Sequence, residues 1–396
     1  MFSEEILKLG TKKSTIREIF EYGKKRAAVV GKENIFDFSI GNPNVPAPEC
    51  VKEAILDIVN NEDPTLIHGY TSAQGDDKVR ESIAKSLNDR FNTSFTKDNL
   101  YMTVGAAASI SICLKALTNV GNEYITFAPY FPEYKCFVEG AGGKLNVVPA
   151  DIKTFQINFE EFEKLINENT KAVIVNSPNN PSGVVYSEDT INKLSKILGE
   201  KSKEYNHPIY LIADEPYREI AYDGVNVPYL TKYYNNTFVC YSYSKSLSLP
   251  GERIGYIVVP SEMDDFNLAY AAICGGGRVL GYVNAPSLFQ KVVAKCADAT
   301  SDISIYETNR NLLYDGLTKL GFKCVKPEGA FYLFPQSLES DAKEFCKKAR
   351  EKYDLLLVPG DDFGCPGHFR LSYCVQTEQI ERAMPLFEKL AKDYLE

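Results

Sequence analysis

From about residue 77 to residue 260, short apolar runs rich in Val, Ile, Tyr and Phe alternate with longer stretches whose apolar positions recur every three or four residues. An unbroken apolar run or a period of two marks a strand, and a period near 3.6 marks a helix with one buried face. The sequence predicts strands over 123–127, 144–148, 172–176, 209–213, 237–242 and 255–259, and helices over 77–88, 106–117 and 187–205. Such alternation indicates an α/β unit with a mainly parallel sheet covered by helices. In these folds the strands end at loops along one edge of the sheet, where chemistry collects.

Beyond residue 286 the pattern changes. A helical stretch over roughly 287–320 leads into a strand-like segment at 321–334, a helix at 341–352, strands at 355–358 and 369–374, and a last helix from Glu378. This mixture predicts a smaller α+β domain. The stretch up to Pro48 has no evident sheet partner and is expected to lie across that domain. The expected organisation is an N-terminal segment 1–48, a large domain 49–286 and a small domain 287–396.

Composition narrows the function classes. A chain of 396 residues, 44% hydrophobic and 24% charged, has the balance of a globular protein. At this size it buries roughly three quarters of its unfolded surface, enough for a water-excluded site. The net charge of −9 argues against nucleic acid, whose binding needs a basic face. No run approaches the ~18 apolar residues of a membrane span. The N-terminus is charged from Glu4 and lacks the apolar stretch of a signal peptide. A cytoplasmic location is expected. The ten cysteines are scattered without a C-x-x-C pair, and His68, His207 and His368 lie far apart, so neither a disulfide framework nor a metal site is expected.

Four spaced features carry candidate chemistry. Ser242-Tyr243-Ser244-Lys245 closes an apolar strand. A lysine there is ordinarily a surface residue, but in a desolvated pocket its pKa falls and its amine becomes a nucleophile towards an aldehyde. Asp214-Glu215-Pro216-Tyr217 follows another buried strand. A carboxylate in that position either caps the next helix or meets a cation such as a protonated pyridine nitrogen. Asn176-Ser177-Pro178-Asn179-Asn180-Pro181-Ser182-Gly183 forms a rigid turn that can aim an amide side chain. Val104-Gly105-Ala106-Ala107-Ala108-Ser109 leads from a strand-like run into a helix. Its small residues let an anion approach the helix N-terminus, and Arg253 offers a guanidinium for the same anion.

The set Asn180-Pro-Ser-Gly, Asp214-Glu-Pro-Tyr217, Ser242-Tyr-Ser-Lys245 and Pro250-Gly-Glu-Arg253-Ile-Gly-Tyr resembles the class I/II aminotransferases, pyridoxal-phosphate enzymes of the aspartate aminotransferase fold. The likeness runs from Ser39-Ile-Gly41-Asn-Pro to Phe369-Arg370-Leu-Ser. It implies fold type I, with a seven-stranded, mainly parallel sheet in the large domain. It also implies that Lys245 binds pyridoxal 5'-phosphate through its amine and serves as general base, while Asp214 pairs with the ring nitrogen. Tyr217 and Asn180 would contact the ring's phenolic oxygen. The backbone amides of Ala106 and Ala107, with Ser242 and Arg253, would cradle the phosphate.

Pro129-Tyr130-Phe131-Pro132-Glu133-Tyr134 resembles the family's P-x-[YF]-P-x-Y segment, in which Phe131 would stack on the ring. Tyr70 matches the tyrosine that reaches the phosphate of a neighbouring subunit, which implies a homodimer. Arg370 matches the fork that binds the substrate α-carboxylate, and Gly41 would bring its backbone close to the same group. Two departures stand out. The helix start is unusually rich in alanine. Gly275-Gly276-Gly277-Arg278 reads as a mobile loop or lid, with Arg278 either solvated or binding a distal carboxylate.

The expected reaction is ping-pong transfer of an amino group between an amino acid, aspartate in first place, and a 2-oxo acid such as 2-oxoglutarate. Alternatives are an aromatic- or alanine-preferring transaminase and a carbon–sulfur β-lyase of the cystathionine type. A ligand-sensing regulator would need an added DNA-binding domain, and the residues before Gly41 show no helix-turn-helix.

Overall fold

Residues 2–11 and 15–395 are described by the structure, a computed structural model. Its strands are β1 (Phe36–Asp37), β2 (Leu100–Thr103), β3 (Glu123–Phe127), β4 (Lys144–Val148), β5 (Thr170–Asn176), β6 (Tyr210–Asp214), β7 (Thr237–Ser242), β8 (Gly255–Val258), β9 (Tyr332–Leu333), β10 (Leu355–Leu356), β11 (Val358–Pro359) and β12 (Phe369–Ser372). Seven of them form one mixed, mostly parallel sheet in the order β2-β8-β7-β6-β5-β3-β4. Only β8 runs against the others, pairing antiparallel with both β2 and β7.

The apolar runs became the central strands because both faces of this sheet are covered. Side chains alternate across a strand. Val173, Val175, Leu211, Ala213 and Val239 therefore face one core, whereas Ala172, Ile174, Ile212, Phe238 and Cys240 face another. The covering helices begin at residues suited to capping. Asp76 accepts from the backbone N–H groups of Lys78 and Val79 to start Asp77–Phe91. Ser187 accepts from that of Thr190 to start Glu188–Glu204.

A second, smaller arrangement surrounds the antiparallel sheet β11-β12-β9. Phe331, Leu333, Phe369 and Leu371 pack there against Leu313 and Leu317 of helix Ser304–Lys319, and against Ile380 and Phe387 of helix Thr377–Leu395.

Four expectations from the sequence need correction. The N-terminal segment does have a sheet partner, since Phe36 and Asp37 pair in parallel with Leu355 and Leu356. The helical stretch over 287–320 is two helices, Ser287–Lys295 and Ser304–Lys319, because the chain turns away after Cys296. The segment 321–334 contributes only Tyr332–Leu333 as strand. The fourth concerns Gly275–Arg278, which is no loop. It lies in helix Phe266–Leu280, where Gly276 and Gly277 are buried against helix Ala106–Leu117 and β2. A Cβ on Gly276 would stand 2.8 Å from the Ile112 carbonyl, and one on Gly277 would collide with the Tyr101 hydroxyl. These glycines permit close packing.

Because this contact has no room for a methyl group, Gly277→Ala should lower unfolding free energy by about 1–3 kcal/mol, the usual cost of overpacking. Gly275→Ala, with open space at that position, should be neutral or slightly stabilising. Denaturant unfolding of both variants checks the contrast.

Candidate active site

The parallel strands carry chemical groups at their C-terminal ends, and their register sets those groups side by side. Asn176 at the end of β5 pairs with Asp214 at the end of β6. Asp214 pairs in turn with Cys240 of β7, two residues before Ser242. A hydrogen-bond chain locks this edge. Asn176 Nδ2 donates to the Asp214 carbonyl at 2.9 Å, and the Asn180 N–H donates to Asn176 Oδ1 at 2.7 Å. Asn180 Oδ1 accepts from Arg370 Nη1 at 3.0 Å, which ties β12 to the same edge. The turn after β6 is braced by a buried, two-point ion pair between Arg218 and Glu215, with Arg218 also donating to the Val227 and Pro228 carbonyls.

Lys245 sits in the short helix Tyr243–Ser246 directly after β7. Its Nζ donates to the Gly41 carbonyl at 2.7 Å and lies 5.3 Å from the centre of the Phe331 ring. Loss of solvation lowers its pKa to about 8, and the charges of Arg253 and Arg370 push the same way. Gly41 allows this approach to another group as well. A Cβ there would overlap the hydroxyl of Tyr332, which bonds the Tyr217 hydroxyl at 2.9 Å. Burial holds the Tyr217 phenol well above its ordinary range.

Asp214 is buried, and burial raises its pKa to about 7 against the opposing hydrogen bond from the Tyr134 hydroxyl. Its other oxygen, Oδ1, is buried with no partner. Arg370 is the complement of this carboxylate. It is buried, donates to Asn180 and to the Ser39 carbonyl, and is flanked by the rings of Tyr332 and Phe363 at 4.7 and 5.0 Å. Its Nε is buried and unpartnered, and burial pulls its pKa down. Two buried orphaned atoms of opposite charge at one edge are costly unless a ligand meets them.

At the start of helix Ala106–Leu117, Gly105 provides no side-chain cap, which leaves the first N–H groups free. Arg253 lies against this point, 2.8 Å from where a Gly105 Cβ would be, and donates weakly to Ser244 Oγ at 3.4 Å. Ser242 and Ser244 share a hydroxyl contact of 2.7 Å. Phe131 is half-buried and meets Tyr134 edge to face.

These features fit pyridoxal 5'-phosphate. The unpartnered carboxylate oxygen suits a protonated ring nitrogen, the uncapped helix start beside Arg253 suits a phosphate, and the partly desolvated amine suits an aldehyde. The structure thus brings Gly41, Ala106, Asn180, Asp214, Tyr217, Ser242, Lys245, Arg253 and Arg370 to one region, with Ala107 and Phe131 adjoining. Tyr70 and Arg278 are not drawn into it. Tyr70 is 96% exposed, and Arg278 is exposed in the last turn of its helix.

Sequence reasoning left three participants without a role. Ser244 and Tyr134 stand inside the recognised motifs, so a signal existed. Tyr332 lies in an apolar run that carries none.

Comparison with known proteins agrees with this geometry. A family model described as aminotransferase class I and II matches residues 33–385. The aspartate aminotransferase of Thermotoga maritima is 30% identical over 94% of this chain and 96% of its own. The probable aspartate aminotransferase of Methanocaldococcus jannaschii is 31% identical over 96% of this chain and 97% of its own. Among solved structures, an amino transferase from Eubacterium rectale is 59% identical, superposes with a TM-score of 0.98 and covers 100% of both chains.

The desolvated amine yields a prediction that needs no ligand. In the protein freed of cofactor, Lys245 is neutral above its depressed pKa and protonated below it. Competitive acylation followed across pH by mass spectrometry should give a midpoint near 8 for Lys245. Exposed lysines should give about 10.4. A midpoint shared with the surface lysines would contradict the burial argument.

Proposed function

We propose that this chain, which belongs to the aminotransferase class I and II family and is a pyridoxal-phosphate-dependent aminotransferase, takes aspartate as its amino donor and 2-oxoglutarate as acceptor. The observation that carries the assignment of roles is the pair of buried, unpartnered atoms of opposite charge, Asp214 Oδ1 and Arg370 Nε. The aspartate preference is supported by the names borne by the relatives from Thermotoga maritima and Methanocaldococcus jannaschii. An aromatic-amino-acid aminotransferase of Thermococcus litoralis, 29% identical over 96% of both chains, marks the competing preference.

In this reading Lys245, Asp214 and Tyr217 perform the chemistry. When bound, pyridoxal 5'-phosphate supplies an aldehyde that takes up the amino group and returns it to a 2-oxo acid, and a ring that delocalises the electron pair left on the substrate's α-carbon. Lys245 Nζ would hold the cofactor through its aldehyde and, as a free amine, would take the proton from the substrate α-carbon. Whenever that amine is free, its loss of solvation favours the unprotonated form. Asp214 holds a positive charge on the ring nitrogen, and Tyr217 with Asn180 orients the ring's phenolic oxygen. Ala106, Ala107, Ser242 and Arg253 hold the phosphate, and Phe131 covers one face of the ring. Arg370 binds the α-carboxylate, with the Gly41 backbone beside it.

The reading includes a homodimer in which Tyr70 reaches the partner's phosphate site. In support, Tyr70, Val279, Leu280, Tyr282 and Val283 expose apolar surface. They lie on adjoining segments, tied where Asn284 Nδ2 donates to the Thr71 carbonyl at 2.6 Å. Exposed apolar side chains on adjoining segments suit burial against a second copy of the chain. Arg278, beside Val279, is the residue proposed to bind a distal carboxylate. A second copy covering the patch predicts twice the chain's mass by sedimentation equilibrium, and a monomer would reject the shared site.

The donor panel separates the two arginines. Against 2-oxoglutarate, Arg370→Ala should lower kcat/KM for acidic and neutral donors alike, by roughly a hundredfold, as expected on losing a two-point contact with a carboxylate. Arg278→Ala should lower kcat/KM for aspartate while leaving alanine and aromatic donors unchanged. Equal losses for all donors would remove Arg278 from substrate recognition, and a higher wild-type kcat/KM for aromatic donors would displace aspartate.

A further inference from the structure

Asp214 and Phe131 come from distant parts of the chain, yet one side chain touches both. Tyr134 is the second residue of helix Glu133–Ala141 and is 1% exposed. Its ring meets Phe131 edge to face, with centroids 5.6 Å apart and planes at 85°. Its hydroxyl donates to Asp214 Oδ2. Among the described residues Tyr134 alone hydrogen-bonds this carboxylate, because Oδ1 has no partner. The neighbouring titratable groups, Glu215, Tyr217 and Cys240, are otherwise engaged. Glu215 pairs with Arg218, the Tyr217 hydroxyl bonds Tyr332, and the Cys240 sulfur lies 3.8 Å from that of Cys113.

We propose that Tyr134 is a positioning residue for the cofactor's heterocycle, fixing Asp214 so that one carboxylate oxygen stays free for the ring nitrogen and setting the plane in which Phe131 covers the ring. The inference rests on the reading that Asp214 pairs with that nitrogen. Three features support it. A carboxylate at the end of a strand can rotate about its side-chain bonds, and a single buried donor removes that freedom. Burial and the adjacent carboxylate hold the phenol well above its ordinary range, so it remains a donor at every working pH. Its hydrogen bond also opposes the effect of burial on Asp214, favouring the ionised form that a cationic nitrogen requires. Tyr134 does this without touching substrate or the reacting atoms.

The test measures binding. Wild-type protein and Tyr134→Phe, both freed of cofactor, are titrated with pyridoxal 5'-phosphate and with its analogue carrying carbon in place of the ring nitrogen. The ratio of the two dissociation constants within each protein reports the Asp214 contact, and any general loosening of the fold cancels from it. Wild type should prefer the natural cofactor by about tenfold or more, the factor that ~1.4 kcal/mol represents. Tyr134→Phe should reduce that preference to severalfold at most. If wild type discriminates and Tyr134→Phe discriminates equally, the positioning role is overturned while the Asp214 reading survives. If wild type binds both compounds alike, and Asp214→Asn does the same, the Asp214 reading falls and the proposal with it.

Discussion

The site depends on a carboxylate kept out of water at the end of a strand. Asp214 occupies a place where ionisation is unfavourable, with one neutral hydrogen bond and one oxygen without any partner. Such an arrangement persists only if the surrounding structure is stable enough to impose it. The sheet supplies that stability. The strands on either side of β6 are buried but for Lys171, their register sets Asn176 and Cys240 beside Asp214, and the Glu215–Arg218 pair closes the turn that follows. Lys245 and Arg370 are held by similar means, through bonds to the Gly41 and Ser39 carbonyls.

Much of this was legible in the sequence. The strands and helices around the large sheet were readable because burial on both faces leaves long apolar runs, and because the covering helices keep apolar positions three or four residues apart. The residues gathered at the sheet edge were readable because Asn180, Asp214 and Lys245 each end a strand or open the turn after it, within motifs of fixed spacing. What escaped has a common physical cause. A two-residue strand such as Phe36–Asp37 is too short for any period to register. Gly276 and Gly277 look like breakers locally, but tertiary packing against Tyr101 and Ile112 overrides that preference. The contacts of Tyr332 with Gly41 and Tyr217 join residues distant in sequence and leave no local trace, and the motif that contains Tyr134 does not tell that its partner is Asp214.

Selectivity among amino acids has a different physical origin from the shared chemistry. The groups proposed to meet the common parts of any substrate are anchored on strand ends and short turns. The alanines at 106–108 bring only backbone and methyl groups to a helix start that carries no side-chain cap. Around Arg370, the flanking rings of Tyr332 and Phe363 exclude water and so strengthen its pull on an incoming anion. In the proposed reading, discrimination between side chains falls to the more exposed rim, where Arg278 stands.

The hydrogen bond from Arg370 to the Ser39 carbonyl spans 331 positions of the chain. On the ribosome, neither partner can find the other until that whole interval has been synthesised, so this pocket is among the last parts of the molecule to acquire its form. Ligand-derived stabilisation acts only on a completed pocket. What a bound carboxylate adds to stability through Arg370 therefore reaches the chain only when synthesis is nearly finished, whereas every residue proposed to hold the vitamin, through Arg253, has been made well before.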